Sequence, residues 1–306
     1  MATRTFTARV RTLAAFALLL AIPMQPPAAH AWGDQGHTWI NRVAALNIPA
    51  SMPTFLRRAS TQIAYLGPEP DRWRRDSEPA LKRAQEPDHF IDLELLAELK
   101  QLPPNRYEFY RYLYEKRRNA IDPDQYLPER IGLQPYATIE IYERLKVAFR
   151  EYRRLRSARQ PTAAAEQNAI YYAGWLGHYV ADAANPMHTS IHHNGWTGAN
   201  PRGYTTSKET HRKFEADFVD RNQARLQFAH LLRPPARLEH PFENYVDYLR
   251  HSSQQVEQLY AIEKRGGFND TGSKEGLEFV RRCMADGAQM LLDLWYTAWL
   301  ESEVAP

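Results

Sequence analysis

Apolar residues recur at intervals of three and four along most of this 306-residue chain, and no stretch alternates apolar and polar residues in the manner of a half-buried strand. That periodicity restricts the chain to a fold built from helices. It runs over 106–158, 162–184, 206–232, 242–264 and 274–302, and the first run is interrupted at 123–135, so it reads as two helices joined by a loop. Pro234-Pro235, Gly266-Gly267 and Asp270-Thr271-Gly272 mark further breaks. Prolines scattered over 49–104 predict a less regular region between a first helix and the bundle. The expected architecture is all-α, a single-domain multi-helix fold, with the Tyr and Leu stripes over 107–149 packing its core rather than forming a cofactor box.

The amino-terminal segment reads separately. Arg4, Arg9 and Arg11 precede an apolar run from Leu13 to Ile22, too short to span a bilayer, and no acidic residue accompanies them. Ala29-His30-Ala31 has the small-any-small pattern of a cleavage site, so residues 1–31 read as a signal peptide and 32–306 as the mature domain. Trp32 becomes the free amino terminus, and the protein is expected in the periplasm or outside the cell. Removing the three arginines takes the 39 Lys and Arg to 36, equal to the 36 Asp and Glu. A neutral mature chain has no overall electrostatic pull towards nucleic acid or anionic membranes, and only local patches remain. Cys283 is the single cysteine, so no intramolecular disulfide is available and stability must come from packing. No later segment has the length and apolarity of a transmembrane anchor.

The chemistry concentrates in "GHYVADAANPMHTSIHH". His178 and Asp182 stand four residues apart, which on a helix turns the side chain by about 40° and leaves both groups on one face, able to meet a single cation. Asn185-Pro186 should end that helix and let His188 turn back. In "THRKFEADFV", His211 and Glu215 repeat the spacing. His188, His211 and Glu215 form a nitrogen and oxygen donor set suited to zinc, with room for a fourth position. One such pair arises often by chance on a solvated helix face; two pairs with the Pro-x-His element do not. His192, His193, His230, His240 and His251 read as surface or structural groups.

With these elements the chain resembles the superfamily of zinc-dependent phospholipases C and S1/P1 nucleases, which share an all-helical fold around three zinc ions. The resemblance runs from Trp32 to about Val219 and rests on G-H-Y-x-x-D-x-x-x-P-M-H at 177–188 and H-x-K-F-E at 211–215. It implies that the mature amino terminus binds zinc through the amino nitrogen and carbonyl oxygen of Trp32, joined by His37, with Asp182 bridging to a neighbouring zinc. That neighbour is completed by Asp71, His89 and His178, and the third ion is held by His188, His211 and Glu215. Asp76 competes with Asp71 for its place, and the "PDRWR" context, similar to the nuclease pattern "ADxxR", favours Asp71.

Three cations beside a few carboxylates retain positive charge, for which a phosphate group is the natural guest, and metal-bound water ionises near neutrality. The resemblance therefore implies phosphodiester hydrolysis, with Asp71 also orienting or deprotonating the water. The substrate is divided. "HRKFEADFVD" and "HTWINRVAALNI" are similar to phospholipases C, whereas the short Trp32–His37 interval and "WGDQGH" are similar to nucleases. In a nuclease Phe90 would stack on a base and Asp92 accept its hydrogen bonds. Arg72 and Glu86 occupy places where phospholipases carry aromatic residues, and Arg72 would repel choline. The expected activity is that of a phospholipase C-like phosphodiesterase with its head group open, ahead of a single-strand nuclease or 3′-nucleotidase; an exported zinc-storing or zinc-sensing protein is the third reading. Producing the chain with an extra residue ahead of Trp32 should weaken or empty one of the three zinc positions. Metal analysis that still returned three tightly held ions would remove the terminus from the ligand set.

Overall fold

Helices and short helical turns make up the regular structure of the computed structural model, which describes residues 32–303 and contains no strand among them. The expected signal peptide at 1–31 lies outside the described residues. α1 (Gly33–Leu46) leads into four short helices, α2 (Thr54–Arg58), α3 (Ser60–Leu66), α4 (Glu69–Arg72) and α5 (Pro79–Gln85), and then into single 3-10 turns at Glu86–His89 and Leu93–Leu96. This is the less regular region that the prolines predict. α6 (Arg106–Asn119), α7 (Pro128–Ile131), α8 (Gln134–Ser157) and α9 (Ala163–Ala184) follow, with a 3-10 turn at Pro186–Thr189. α10 (Thr210–Arg212), α11 (Phe218–Arg221), α12 (Pro241–Ser253), α13 (Val256–Lys264) and α14 (Lys274–Glu301) complete the order. None of these is long and apolar enough to cross a membrane.

Two expected helices are divided. Instead of one helix over 206–232 there is α10, a π-helical turn over Lys213–Asp217, α11, and 3-10 turns at Gln223–Arg225 and Ala229–Leu231. Asn222 ends the helical path: its amide donates to the Phe218 carbonyl and its N–H to the Val219 carbonyl. The run over 242–264 splits at Gln254-Gln255, where the chain tightens and redirects Val256, Leu259, Tyr260 and Ile262 into the core.

α9 lies at the centre, packed against α1, α3, α8 and α14, and every residue from Leu176 to Ala184 is buried. A helix covered on all sides needs small residues where its neighbours come closest. A methyl group at Gly174 would lie 2.4 Å from Leu66 Cβ, and one at Gly177 would lie 1.8 Å from Asn41 Oδ1. Asn41 of α1 donates to the carbonyls of Ile63 and Gly174, so one buried amide ties α1, α3 and α9 together. Around the periphery, Pro234 and Pro235 keep a segment extended along α14. Its Arg233, Ala236 and Leu238 N–H groups find Gln289, Asp293 and Thr297, acceptors spaced one helical turn apart. Cys283 is buried on α14 as a free thiol whose pKa burial raises, so it stays protonated and unreactive. Gly177→Ala forces the Asn41 bridge apart and should cost about 1–3 kcal/mol. Chemical denaturation would read this as a lower midpoint, and an unchanged midpoint would contradict the close packing of α1 on α9.

Candidate metal centre

His178 and Asp182 project from the buried half of α9, and neither is accessible to solvent. Asp182 Oδ2 lies 3.3 Å from His178 Nε2 and 3.0 Å from His89 Nδ1, and Asp182 Oδ1 lies 3.3 Å from His37 Nε2. His37 comes from α1, and its ring stacks on that of His178 at 4.2 Å. Asp71, from α4, places Oδ1 3.8 Å from His89 Nδ1 and 4.0 Å from His178 Nε2. α9 ends at Ala184, as Asn185-Pro186 predicts, and the following 3-10 turn brings His188 back towards α10. There His211 Nε2 lies 2.7 Å from Glu215 Oε2 and 3.1 Å from His188 Nε2, while His188 Nε2 is 3.6 Å from Glu215 Oε2. The result is three buried donor groups, each of which could hold a metal ion: His37, His178 and Asp182; Asp71, His89 and His178; His188, His211 and Glu215.

The protonation pattern suits ligation. A carbonyl oxygen only accepts, so His178 Nδ1 carries a proton for Gly67 O at 2.8 Å, and His188 Nδ1 carries one for His89 O at 2.7 Å. Each ring is thereby left with its Nε2 lone pair facing the shared space, the orientation that second-shell carbonyls impose on ligating histidines. Ile91 N–H donates in return to His188 O, which locks the 86–92 segment against the turn after α9. Burial drives the imidazoles of His89, His178 and His211 towards the neutral form, His211 down to about 3. Repulsion from Arg74 adds to burial for His89 and His211, and from His37 for His178. Burial raises Asp182, and lifts Glu215 to about 7. Asp182 Oδ1 and Glu215 Oε1 are buried without a hydrogen-bond partner. Opposed lone pairs and costly carboxylates are what a dication would relieve, so the residues fit bound metal.

The other expected site residues fall in several places. Trp32 is wholly buried at the start of α1, its ring 5.4 Å from Phe214 and its Nε1–H donated to Ala181 O at 2.7 Å. It therefore lies between α9 and the π-helical turn that bears Glu215, although its carbonyl also accepts Gly36 N–H at 3.0 Å. Phe90 is half-buried and Asp92 buried on the segment that follows His89, and burial lifts the Asp92 carboxyl to about 7. Asp71 rather than Asp76 joins the second group; Asp76 is 77% exposed and pairs with Lys82. Arg72 is not brought to the groups: it bonds Glu69 at 2.5 Å and stacks over Tyr65 at 4.3 Å. His192 and His193 are half-buried, with His192 stacked on Trp196 at 3.9 Å, and His230, His240 and His251 are exposed.

Two neighbours escaped the reading of the sequence. Arg74 Nη1 donates to Asp71 Oδ1 at 3.2 Å, and its Nε is buried without a hydrogen-bond partner. Its signal was the D-x-x-R spacing, which sets Arg74 about one turn beyond Asp71 while Arg72 points elsewhere. Asn185, read only as a helix stop, donates its amide to Glu215 Oε2 at 3.0 Å and accepts Met187 N–H.

No family model and no curated protein matches the chain. Among solved structures, the alpha-toxin of Clostridium perfringens isolated from avian strain SWCP is similar at 12% identity and a TM-score of 0.39. The similarity covers 89% of this chain and 63% of that one, so the chain spans less than two thirds of the toxin's length. A likeness this distant transfers no chemistry, and the three donor groups stand on their own geometry. Stripping metal with a chelator should lower the melting temperature, and zinc should restore it, because binding free energy is also folding free energy at such sites. His211→Ala should reduce the bound metal by one ion per chain; unchanged melting after verified metal removal would count against all three groups.

Proposed function

We propose that the mature chain is an exported zinc-dependent phosphodiesterase of the phospholipase C type. The observation that carries this reading is the convergence of eight buried side chains from distant parts of the sequence on three donor groups, two of which share His178. In this reading one zinc is held by the amino terminus and carbonyl of Trp32 with His37 and Asp182. A second is held by Asp71, His89 and His178 with Asp182, and a third by His188, His211 and Glu215. Bound zinc supplies polarisation of a phosphoryl oxygen and water of lowered pKa.

The chain's own residues do the rest. Asp71, held by Arg74, orients the attacking water and takes its proton. Arg74 Nε–H, buried and without a protein partner, is a donor for a non-bridging phosphoryl oxygen. Attack forms a new P–O bond, the ester P–O bond breaks, and the water proton ends on the departing alcohol, leaving a phosphomonoester. The surrounding helices exclude other water from the carboxylates and imidazoles.

For the substrate, a phospholipid head group is the leading reading. The expected repulsion between Arg72 and choline is weakened by the Glu69 carboxylate at 2.5 Å, which balances that guanidinium. A single-strand nuclease or 3′-nucleotidase is the second reading, supported by half-buried Phe90 and buried Asp92 on the segment that follows His89. Release of diacylglycerol from mixed phospholipid vesicles would support the first, and release of 5′-mononucleotides from single-stranded DNA the second. Three bound zinc ions with no turnover of either would leave a storage protein. Arg74→Ala should lower kcat/KM by about a hundredfold to a thousandfold with metal content unchanged, as loss of one oxyanion donor does. Parallel loss of metal would instead make Arg74 a support for Asp71 alone.

A further inference from the structure

We infer that the outer face of α6 docks the protein on an anionic lipid surface. α6 attaches to the core through Phe109 and Leu113, and its opposite face is open to solvent. Tyr107 on that face is 79% exposed, Tyr114 is 65% exposed, and Ile121 just beyond the helix is fully exposed. They are the three most exposed large apolar side chains among the described residues, and they recur every seven residues. Arg111 and Arg118 stand between them. On a helix of 3.6 residues per turn, Tyr107, Arg111, Tyr114 and Arg118 lie within an arc of about 60°.

Charge separates these arginines from the other basic residues of α6. Arg106, Lys116 and Arg117 are paired with Glu140, Glu98 and Asp124, whereas Arg111 and Arg118 enter no ion pair among the described residues. Glu108 and Glu115 lie on the flank of the stripe, roughly 80–100° round the helix from Tyr107. Isolated exposed apolar residues need no explanation, but a regular stripe of them interleaved with uncompensated guanidinium groups does. Tyrosine rings suit the head-group level of a membrane, an aliphatic side chain suits the acyl boundary, and arginines suit lipid phosphates. Single-stranded nucleic acid would use the tyrosines and arginines but gives Ile121 nothing to bury in, so lipid fits the full stripe better.

Position links the surface to the donor groups. Arg106, at the start of α6, lies 3.9 Å from Asp88, whose neighbour His89 belongs to the second group. The docking surface stands on its own observations; its use in presenting substrate rests on the phosphodiesterase reading. Few apolar residues and two free arginines make the attachment weak and reversible.

Flotation of the mature protein with phosphatidylcholine vesicles, with and without phosphatidylglycerol, tests the inference. The wild-type chain should float with the anionic vesicles and release as salt rises. Arg111→Glu with Arg118→Glu, and separately Tyr107→Ala, Tyr114→Ala and Ile121→Ser combined, should each reduce partitioning by about tenfold or more. Both variants should keep the wild-type circular dichroism and hydrolysis of a soluble phosphodiester, since none of these residues touches the core groups. The docking inference fails if the wild type stays unbound, or if the variants float as well as it does. It also fails if the substitutions abolish only oligonucleotide binding or only self-association in sedimentation. Vesicle binding without hydrolysis of any phosphodiester would instead count against the phosphodiesterase reading alone.

Discussion

Asp182 sits where a carboxylate is least tolerated, on the buried half of a helix covered from every side, and the rest of the centre is arranged around that difficulty. Its two oxygens face the rings of His37, His89 and His178 within 3.3 Å, and His188 Nδ1 lies 4.0 Å away. Burial holds the nearby rings of His89 and His178 in the neutral form, so those rings cannot supply the balancing positive charge themselves. An anion in such surroundings is costly unless a cation lies among the donors. The fold therefore bears a local penalty that a metal ion, which these groups could hold, would relieve.

How that scaffold holds its shape follows from backbone contacts. Gly67 and His89 carbonyls orient His178 and His188, Asn185 steadies Glu215, and Arg74 steadies Asp71. Gly174 and Gly177 let α3 and α1 close on α9, which brings Asp71 and His37 within reach of residues more than a hundred positions later. Of the candidate donors, His178 and His188 have their Nδ1 atoms already bonded to backbone carbonyls, which fixes ring orientations that a free side chain would not keep. The π-helical turn at Lys213–Asp217 departs from the regular spacing next to His211, and departures of this kind are frequent at functional sites.

Much of this was legible before the structure. Helical periodicity identified the long helices because amphipathic packing writes a 3.6-residue pattern, and α8, α9 and α14 fall close to their expected limits. It failed over 206–232, where Asn222 ends the helix through side-chain bonds that no periodicity records. The four-residue spacing of His178 with Asp182 and of His211 with Glu215 was readable because both lie within one turn of local backbone. Arg74 was read only as part of the "PDRWR" context and not as a site residue, since two arginines two positions apart look alike in a sequence and only the fold sends Arg72 to Glu69 and Arg74 to Asp71.

The sequence by itself determined the helical class, the pairing of donors one turn apart, the turn-back at Asn185-Pro186 and the types of atom offered to a cation. These are local properties, written within a few residues of one another. Only the tertiary structure decided that Asp71 and not Asp76 enters the second group, that His37, His89 and His178 meet around one carboxylate, and that all of them are buried. Those outcomes depend on contacts between segments separated by scores of residues, whose approach is set by the packing of α9 and by the absence of side chains at Gly174 and Gly177.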